Sequence, residues 1–288
     1  MIGIASALIS TFFASSKDLV SKSLAHKIDG TVSACASFLY ALPWYALCMG
    51  TLYLLGYNIF NYGETFLWYV FLRSITDTFA ELFKMHALKH GDISFIANFL
   101  SLAPVFLLFT SPLITGESIH GLGLLGVLLI CLATILLVYN PTERAAGIPW
   151  KGVMLATASA FFFSLNSCFD RLAVQSGNAI ISGFAMTLLS GMFLTPAMLK
   201  HKAWQKELKA ESKLLHLRGV LETLFMVTKL HAMSFLEAQY VVGIGKIGLV
   251  FSIIGGGKVH HEEGYKRRLV FSILIIIGSV LIIFENVR

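Results

Sequence analysis

The chain carries one run of helices twice. Leu72 and Arg73 align with Leu217 and Arg218 at an offset of about 145 residues, and the register then holds without a gap for roughly 70 residues. Arg73 falls on Arg218, Asp77 on Glu222, Lys84 on Lys229, His86 and Ala87 on His231 and Ala232, and Glu117 on Glu262. A long internal repeat fixes the architecture before any local pattern is read. Each copy is strongly apolar and holds about five candidate spans. An odd number of spans per copy forces the two copies into opposite orientations across a bilayer.

Hydrophobic residues make up 56% of the chain and charged residues 13%, with mean hydropathy +0.76. A soluble domain carries roughly 25% charged residues. Stretches able to cross ~30 Å of hydrocarbon need about 20 apolar residues. They are expected at 2–20, 32–55, 66–88, 93–114, 122–139, 152–172, 180–199, 215–235, 238–256 and 269–284. The fold class expected is therefore an all-α polytopic membrane protein: ten transmembrane helices in two inverted five-helix repeats, at 1–140 and 149–288. Inverted repeats of this kind are the plan of secondary transporters, with the substrate site between the halves near the bilayer midplane. The first stretch lacks a basic leader region, and Ser15, Ser16, Lys17 and Asp18 stand where a cleavage motif would be, so it reads as a span.

Basic residues fall in alternate loops: Lys22 and Lys27; Lys89; Arg144 and Lys151; the lysines of 200–213; then Lys258, Lys266, Arg267 and Arg268. The opposite loops have almost none apart from Arg171 and the terminal Arg288. The positive-inside rule puts the first set in the cytoplasm and both termini outside. The net charge of +6 is thus a topology signal, and no nucleic-acid partner is expected.

Helix 3 holds Arg73, Asp77, Glu81 and Lys84 on one face. Two readings stand: the polar wall of a cavity with a protonatable carboxylate, or a self-neutralising ladder whose Arg73 and Lys84 snorkel to the membrane edges. Helix 8 repeats the face with Arg218, Glu222 and Lys229, but Met226 replaces Glu81. Lys246 is the sharpest single residue. It stands mid-helix among Gly243, Gly245 and Gly248, and its repeat mate is Ser101. An ionisable group at that depth faces a cavity or a partner. It would hold an anionic or zwitterionic ligand, or pair with Glu222, Asp170 or Asp18.

Helices 1 and 6 match at an offset of about 149, with Thr11, Ser15, Asp18 and Lys22 on one face of the first. Ser164, Ser167 and Arg171 share a face of the second, and Asn166 and Asp170 lie on the neighbouring stripe. Such faces line a pathway or join helices. Asn98, Ser101 and Pro104 mark a break in helix 4. Glu117 and Glu262 each precede a helix whose first amides and dipole a carboxylate would stabilise.

Other patterns carry no chemistry. Gly255 to Lys258 lacks the spacing of a phosphate loop. His260 to Glu263 lacks the spacing of a helical zinc site, so no metal or other cofactor is expected. Cys35, Cys48, Cys131 and Cys168 stand singly in helices and read as structural thiols.

Together these features resemble the drug/metabolite transporter superfamily, and within it ten-helix proteins with two EamA-type domains. The resemblance is carried by Ala103-Pro104-Val105-Phe106 through Gly116-Glu117 with Gly126, and by Lys246 through Glu262 with Gly278. Ser16-Lys17-Asp18 with Ser21-Lys22 resembles helix 1 of a bacterial subgroup. The second copy departs from the pattern, with Leu249 for the proline and Phe271 for the glycine. The resemblance implies a multi-pass protein of the plasma membrane (the bacterial inner membrane) that exports or exchanges a small metabolite. It implies a cavity walled by helices 3, 4, 8 and 9, with helices 1, 2, 6 and 7 as moving gates. It also implies cytoplasmic termini, opposite to the charge pattern.

The function expected is secondary active transport of a small polar, anionic or zwitterionic, metabolite by alternating access. Lys246, Asn98, Ser101, Asn166 and Asp170 are the expected substrate-binding residues. Asp18, Asp77, Glu81 and Glu222 are candidates for coupling to a proton or ion. The partners are the substrate and the lipid bilayer, for a monomer or homodimer. The rival readings are a lipid translocator or accessory membrane subunit, and an intramembrane enzyme, which would need paired aspartates or a metal cluster.

Overall fold

A backbone in lipid must satisfy its own polar groups, which leaves helices as the economical solution for apolar stretches of this length. The computed structural model describes residues 2–118 and 121–285. Arg288, counted in the charge pattern, lies outside the described residues. In chain order the helices are α1 (Ile2–Ala25), α2 (Gly30–Leu39), α3 (Leu42–Leu54), α4 (Phe66–His90), α5 (Ile93–Leu100), α6 (Ala103–Ile114), α7 (Gly121–Tyr139) and α8 (Pro141–Ala146). They continue as α9 (Trp150–Ser176), α10 (Ala179–Leu199), α11 (Trp204–Ala210), α12 (Ser212–Met233), α13 (Ala238–Gly245), α14 (Gly248–Val259) and α15 (Tyr265–Glu285). The described residues contain no strand.

Among the described residues, seven stretches are long and apolar enough to cross a membrane: Gly30–Leu54, Ile93–Ile114, Gly121–Tyr139, Trp150–Ser176, Ala179–Leu199, Ala238–Val259 and Tyr265–Phe284. The rods α1, α4 and α12 have the length, and their charged and hydroxyl side chains set them apart. The protein is an integral, multi-pass, all-helical membrane protein. Three of the seven stretches are broken rods. The first breaks at Tyr40–Ala41 ahead of Pro43, and the second at Ser101–Leu102 ahead of Pro104, where the proline stands in the first turn of the new helix and needs no hydrogen-bonded amide. The third breaks at Lys246–Ile247 between Gly245 and Gly248, with no proline.

The halves interlock. The helix α1 packs most extensively on α12 of the second half, and α9 packs on α4 of the first. A third close pair, α7 with α15, crosses at Gly126 and Gly278. A Cβ on either glycine would collide with the carbonyl oxygen of the other, so only glycine allows this approach. Gly126→Val is therefore expected to cost about 1–3 kcal/mol or more through overpacking. Thermal unfolding in detergent checks it, with Gly116→Ala as a contrast: an added Cβ there meets no atom, and only the positive φ disfavours the substitution.

The basic loops gather at one end. Lys27 pairs with Glu211 at 3.0 Å, Arg267 with Glu143 at 3.1 Å, and Arg268 with Asp92 at 2.9 Å. The opposite end is joined by backbone contacts such as Gly63 N–H to Ser176 O at 2.6 Å and by Asn178 donating to Ile59 O at 2.8 Å.

Candidate functional site

The two breaks at Ser101 and Lys246 occupy equivalent places in the repeats, and both residues cap the C-terminus of a half-helix. Between them lies a cavity of about 190 Å³. Its walls come from α1 (Thr11, Ser15, Lys17, Asp18), α4 (Lys84), α5 and its cap (Leu100, Ser101), α9 (Phe163, Ser167), α12 (Phe225, Lys229), and α13–α14 with their junction (Val241, Lys246, Gly248, Leu249). Ser15 donates to Gly248 O at 2.8 Å, so α1 is tied to the start of α14. Lys246 lines the cavity, and its Nζ reaches Leu100 O at 3.4 Å. The end of a half-helix is the negative pole of its dipole, which partly steadies a cation there. Among the described residues no carboxylate forms an ion pair with Lys246.

Two buried charge clusters extend from the cavity wall, where Lys17, Asp18, Lys84 and Lys229 stand, into the protein behind it, one per pair of interlocked helices. In the first, Arg73 pairs with Asp77 and, through Nε, with Asp170 at 2.9 Å. Lys229 reaches the other oxygen of Asp170 at 2.7 Å, and Asn166 donates to Asp77 at 2.9 Å. In the second, Arg218 pairs with Glu81, donates to Ser21 Oγ at 2.8 Å and to Ser33 O at 2.8 Å. Lys84 bridges Glu81 and Asp18, both at 3.1 Å, and Lys17 pairs with Glu222 at 2.9 Å. The clusters are repeat copies with changed members. Asp170 stands where Ser21 does in the other copy, and Asn166 where Lys17 does. Arg73 and Lys84 are each 3% exposed and Arg218 is 0% exposed, so these cations do not snorkel; they are locked in ion pairs.

Glu117 and Glu262 do cap helices, but not the next ones along the chain. Glu262 accepts from the amides of Ile93 at 2.7 Å and Ser94 at 2.9 Å, the start of α5 in the other half. Glu117 accepts from Ala238 N–H at 3.2 Å, the start of α13, again across the repeat boundary. At each end a cation of helix 1 or 6 completes the motif. Arg171 binds Glu117 at 3.1 Å and Met233 O, and Lys22 donates to Leu88 O at 3.0 Å and Gly91 O at 2.6 Å. The sequence reading assumed a local cap, whereas an inverted repeat brings the equivalent helix of the other half nearer. Glu262→Ala is expected to cost about 2–3 kcal/mol, since two amides lose a charged acceptor, with partial recovery in Glu262→Gln. Thermal unfolding of the purified variants checks it.

The EamA-like transporter family model matches residues 1–139 and again 150–284. The chain belongs to the EamA-like transporter family. No curated protein matches it. A solved crystal structure, described only as that of a protein, shares the fold with a TM-score of 0.63 at 16% identity, covering 97% of this chain and 94% of its own.

In this EamA-like chain, Lys246 and Ser101 line the cavity and Asp18 joins them. Asn98, Asn166 and Asp170 lie behind the walls. Asn98 donates to Ser94 O at 2.8 Å and accepts from Ser272 at 3.1 Å. Asn166 and Asp170 belong to the Arg73 cluster, as does Asp77, while Glu81 and Glu222 stand in the partner cluster. Helices 1 and 6 contribute wall as well as helices 3, 4, 8 and 9. Lys17, Phe163 and Phe225 were missed as wall residues. The signal for Lys17 is a stripe at Ser10, Ala14 and Lys17, spaced by one helical turn each. No three His, Cys, Asp or Glu side chains gather as a metal site among the described residues.

Proposed function

We propose that this EamA-like protein is a secondary active transporter, exporter or exchanger, that moves a small anionic or zwitterionic metabolite through the central cavity by alternating access. The observation that supports it most is Lys246: a cation without a carboxylate partner, at the helix break of one half, facing a cavity built from both halves. Ser101 opposite it supplies the neutral counterpart. The end bearing the basic loops is the cytoplasmic one in this reading. Asp18 is the coupling carboxylate in this reading, because it alone among the candidates lines the cavity and holds Lys84 at 3.1 Å.

Counterflow in proteoliposomes tests the proposal, with labelled carboxylates and amino acids as probes. Expected is uptake of at least one probe by wild type and none by empty vesicles or by Lys246→Gln. Equal uptake by the variant, or no exchange of any probe by folded wild type, overturns it. Asp18→Asn is expected to keep exchange but lose the response of net transport to an imposed pH gradient; an unchanged response assigns coupling elsewhere.

A further inference from the structure

The transport reading covers both anions and zwitterions, and the signs of the charges around the cavity separate them. We infer that the cargo is a small organic monoanion: one negative charge, no ammonium group and an apolar body. This inference rests on the transport reading of the same cavity.

Count the ionisable groups in and behind the walls. Six are cations: Lys17, Arg73, Lys84, Arg218, Lys229 and Lys246. Five are carboxylates: Asp18, Asp77, Glu81, Asp170 and Glu222. Every carboxylate is held by at least one of the first five cations. Lys246 is left without an ion pair among the described residues: its Nζ reaches the Leu100 carbonyl at 3.4 Å, and Asp18, whose charge also reaches it, is bound to Lys84. A charge at membrane depth that lacks a partner is costly, and the complement missing here is a single negative charge. A dianion would overshoot that balance by one.

The placement of the signs argues against a zwitterion. Four ammonium groups line the cavity, those of Lys17, Lys84, Lys229 and Lys246. Their carboxylates Glu222, Glu81 and Asp170 stand behind the wall, and the one that lines it, Asp18, is already bound to Lys84. A ligand ammonium would enter among like charges and would have to take Asp18 from Lys84. The walls also offer the first residues of two half-helices, Ala103 of α6 and Gly248 of α14, and helix starts favour an anion. The body of the ligand meets Phe163, Phe225, Leu100, Val241 and Leu249, which are apolar. Phe225 also lies under the Lys17 ammonium at 4.2 Å, which fixes that lysine against the wall.

The test is a binding series on the full-length protein in phosphatidylcholine nanodiscs, by calorimetry and thermal shift. Acetate, hexanoate and benzoate vary the body at one charge; benzylamine, phenylalanine and phthalate vary the charge near one body. Expected is binding of hexanoate or benzoate at least tenfold tighter than benzylamine, phenylalanine or phthalate. Lys246→Gln should lose that binding about a hundredfold, and Lys246→Arg should recover part of it, which separates charge from folding. Binding of phenylalanine or benzylamine at the level of benzoate overturns the inference. So does retention by Lys246→Gln, or no binding of any monoanion. A lipid phosphodiester is also a monoanion, so the series is repeated with phosphatidylglycerol; loss of benzoate binding there assigns the site to a headgroup and overturns a soluble cargo. The two readings fail separately. Counterflow of a zwitterion sinks the monoanion and leaves transport standing, whereas benzoate bound but never exchanged sinks transport and leaves the binding assignment.

Discussion

Lys246→Met is expected to give a protein that is harder to unfold and unable to transport. The two effects share one cause. Lys246 faces the cavity without a carboxylate partner, so the empty protein carries the cost of an unmatched charge. Methionine fills a similar volume and removes that cost, for a gain of about 1–4 kcal/mol. The same change removes the one cavity-lining cation that, among the described residues, has no ion pair, and loss of a charged contact of about 2–5 kcal/mol lowers transport by roughly thirtyfold to several thousandfold. Melting of the purified variant and counterflow in vesicles read the two effects independently. A variant that melts lower and still transports would show that Lys246 is a structural group. A gain in stability at the expense of activity is the usual mark of a functional residue kept in an unfavourable place.

Arg218→Ala is expected to do the opposite, by removing the fold itself. The guanidinium is 0% exposed and donates to Ser21, Ser33 and Glu81. Its loss strands the Glu81 carboxylate beside a hole and leaves two helices without their shared donor. Breaking a buried pair from one side costs about 3–5 kcal/mol, a large part of the stability of a typical domain. Little folded protein should accumulate, as read by size-exclusion profile after extraction. Replacing both partners is the informative control. Arg218→Met with Glu81→Met removes one charge of each sign and leaves Lys84 paired with Asp18 at 3.1 Å, so much of the loss should return. If the double variant is as poor as the single one, Arg218 acts through its bonds to Ser21 and the Ser33 carbonyl and not through charge balance.

The repeat and seven of the ten expected spans were legible because both are written in hydropathy and in long-range register; the stretches at 2–20, 66–88 and 215–235 are long helices that carry too much charge or hydroxyl to read as plainly apolar. The Ser101 break was legible because Pro104 announces it. The matching break at Lys246 was not, since Leu249 stands at the proline position and the interruption rests on Gly245 and Gly248 instead. Lys246 was found through the cost of a charge at that depth, which needs no knowledge of neighbours. Asn166 and Asp170 lie off the cavity for the converse reason: they are polar and deep, yet face α4 and α12, and helical periodicity alone does not say which neighbour a polar stripe meets. The destinations of Glu117 and Glu262 were invisible for the same reason. Their partners lie more than a hundred positions away, and only the interlocking of the halves brings them together.

That crossed capping has a consequence for how the chain can change over time. Each half begins one of its half-helices on a carboxylate owned by the other. Cut after α8 and made alone, the first half would present α5 without Glu262 and α1 without its α12 bed; made together, the two pieces should reassemble. The two contacts are mirror images, Glu262 on the start of α5 and Glu117 on the start of α13. The halves differ at Ser101 and Lys246 and match at Glu117 and Glu262, and the loss of either glutamate is felt in the opposite half.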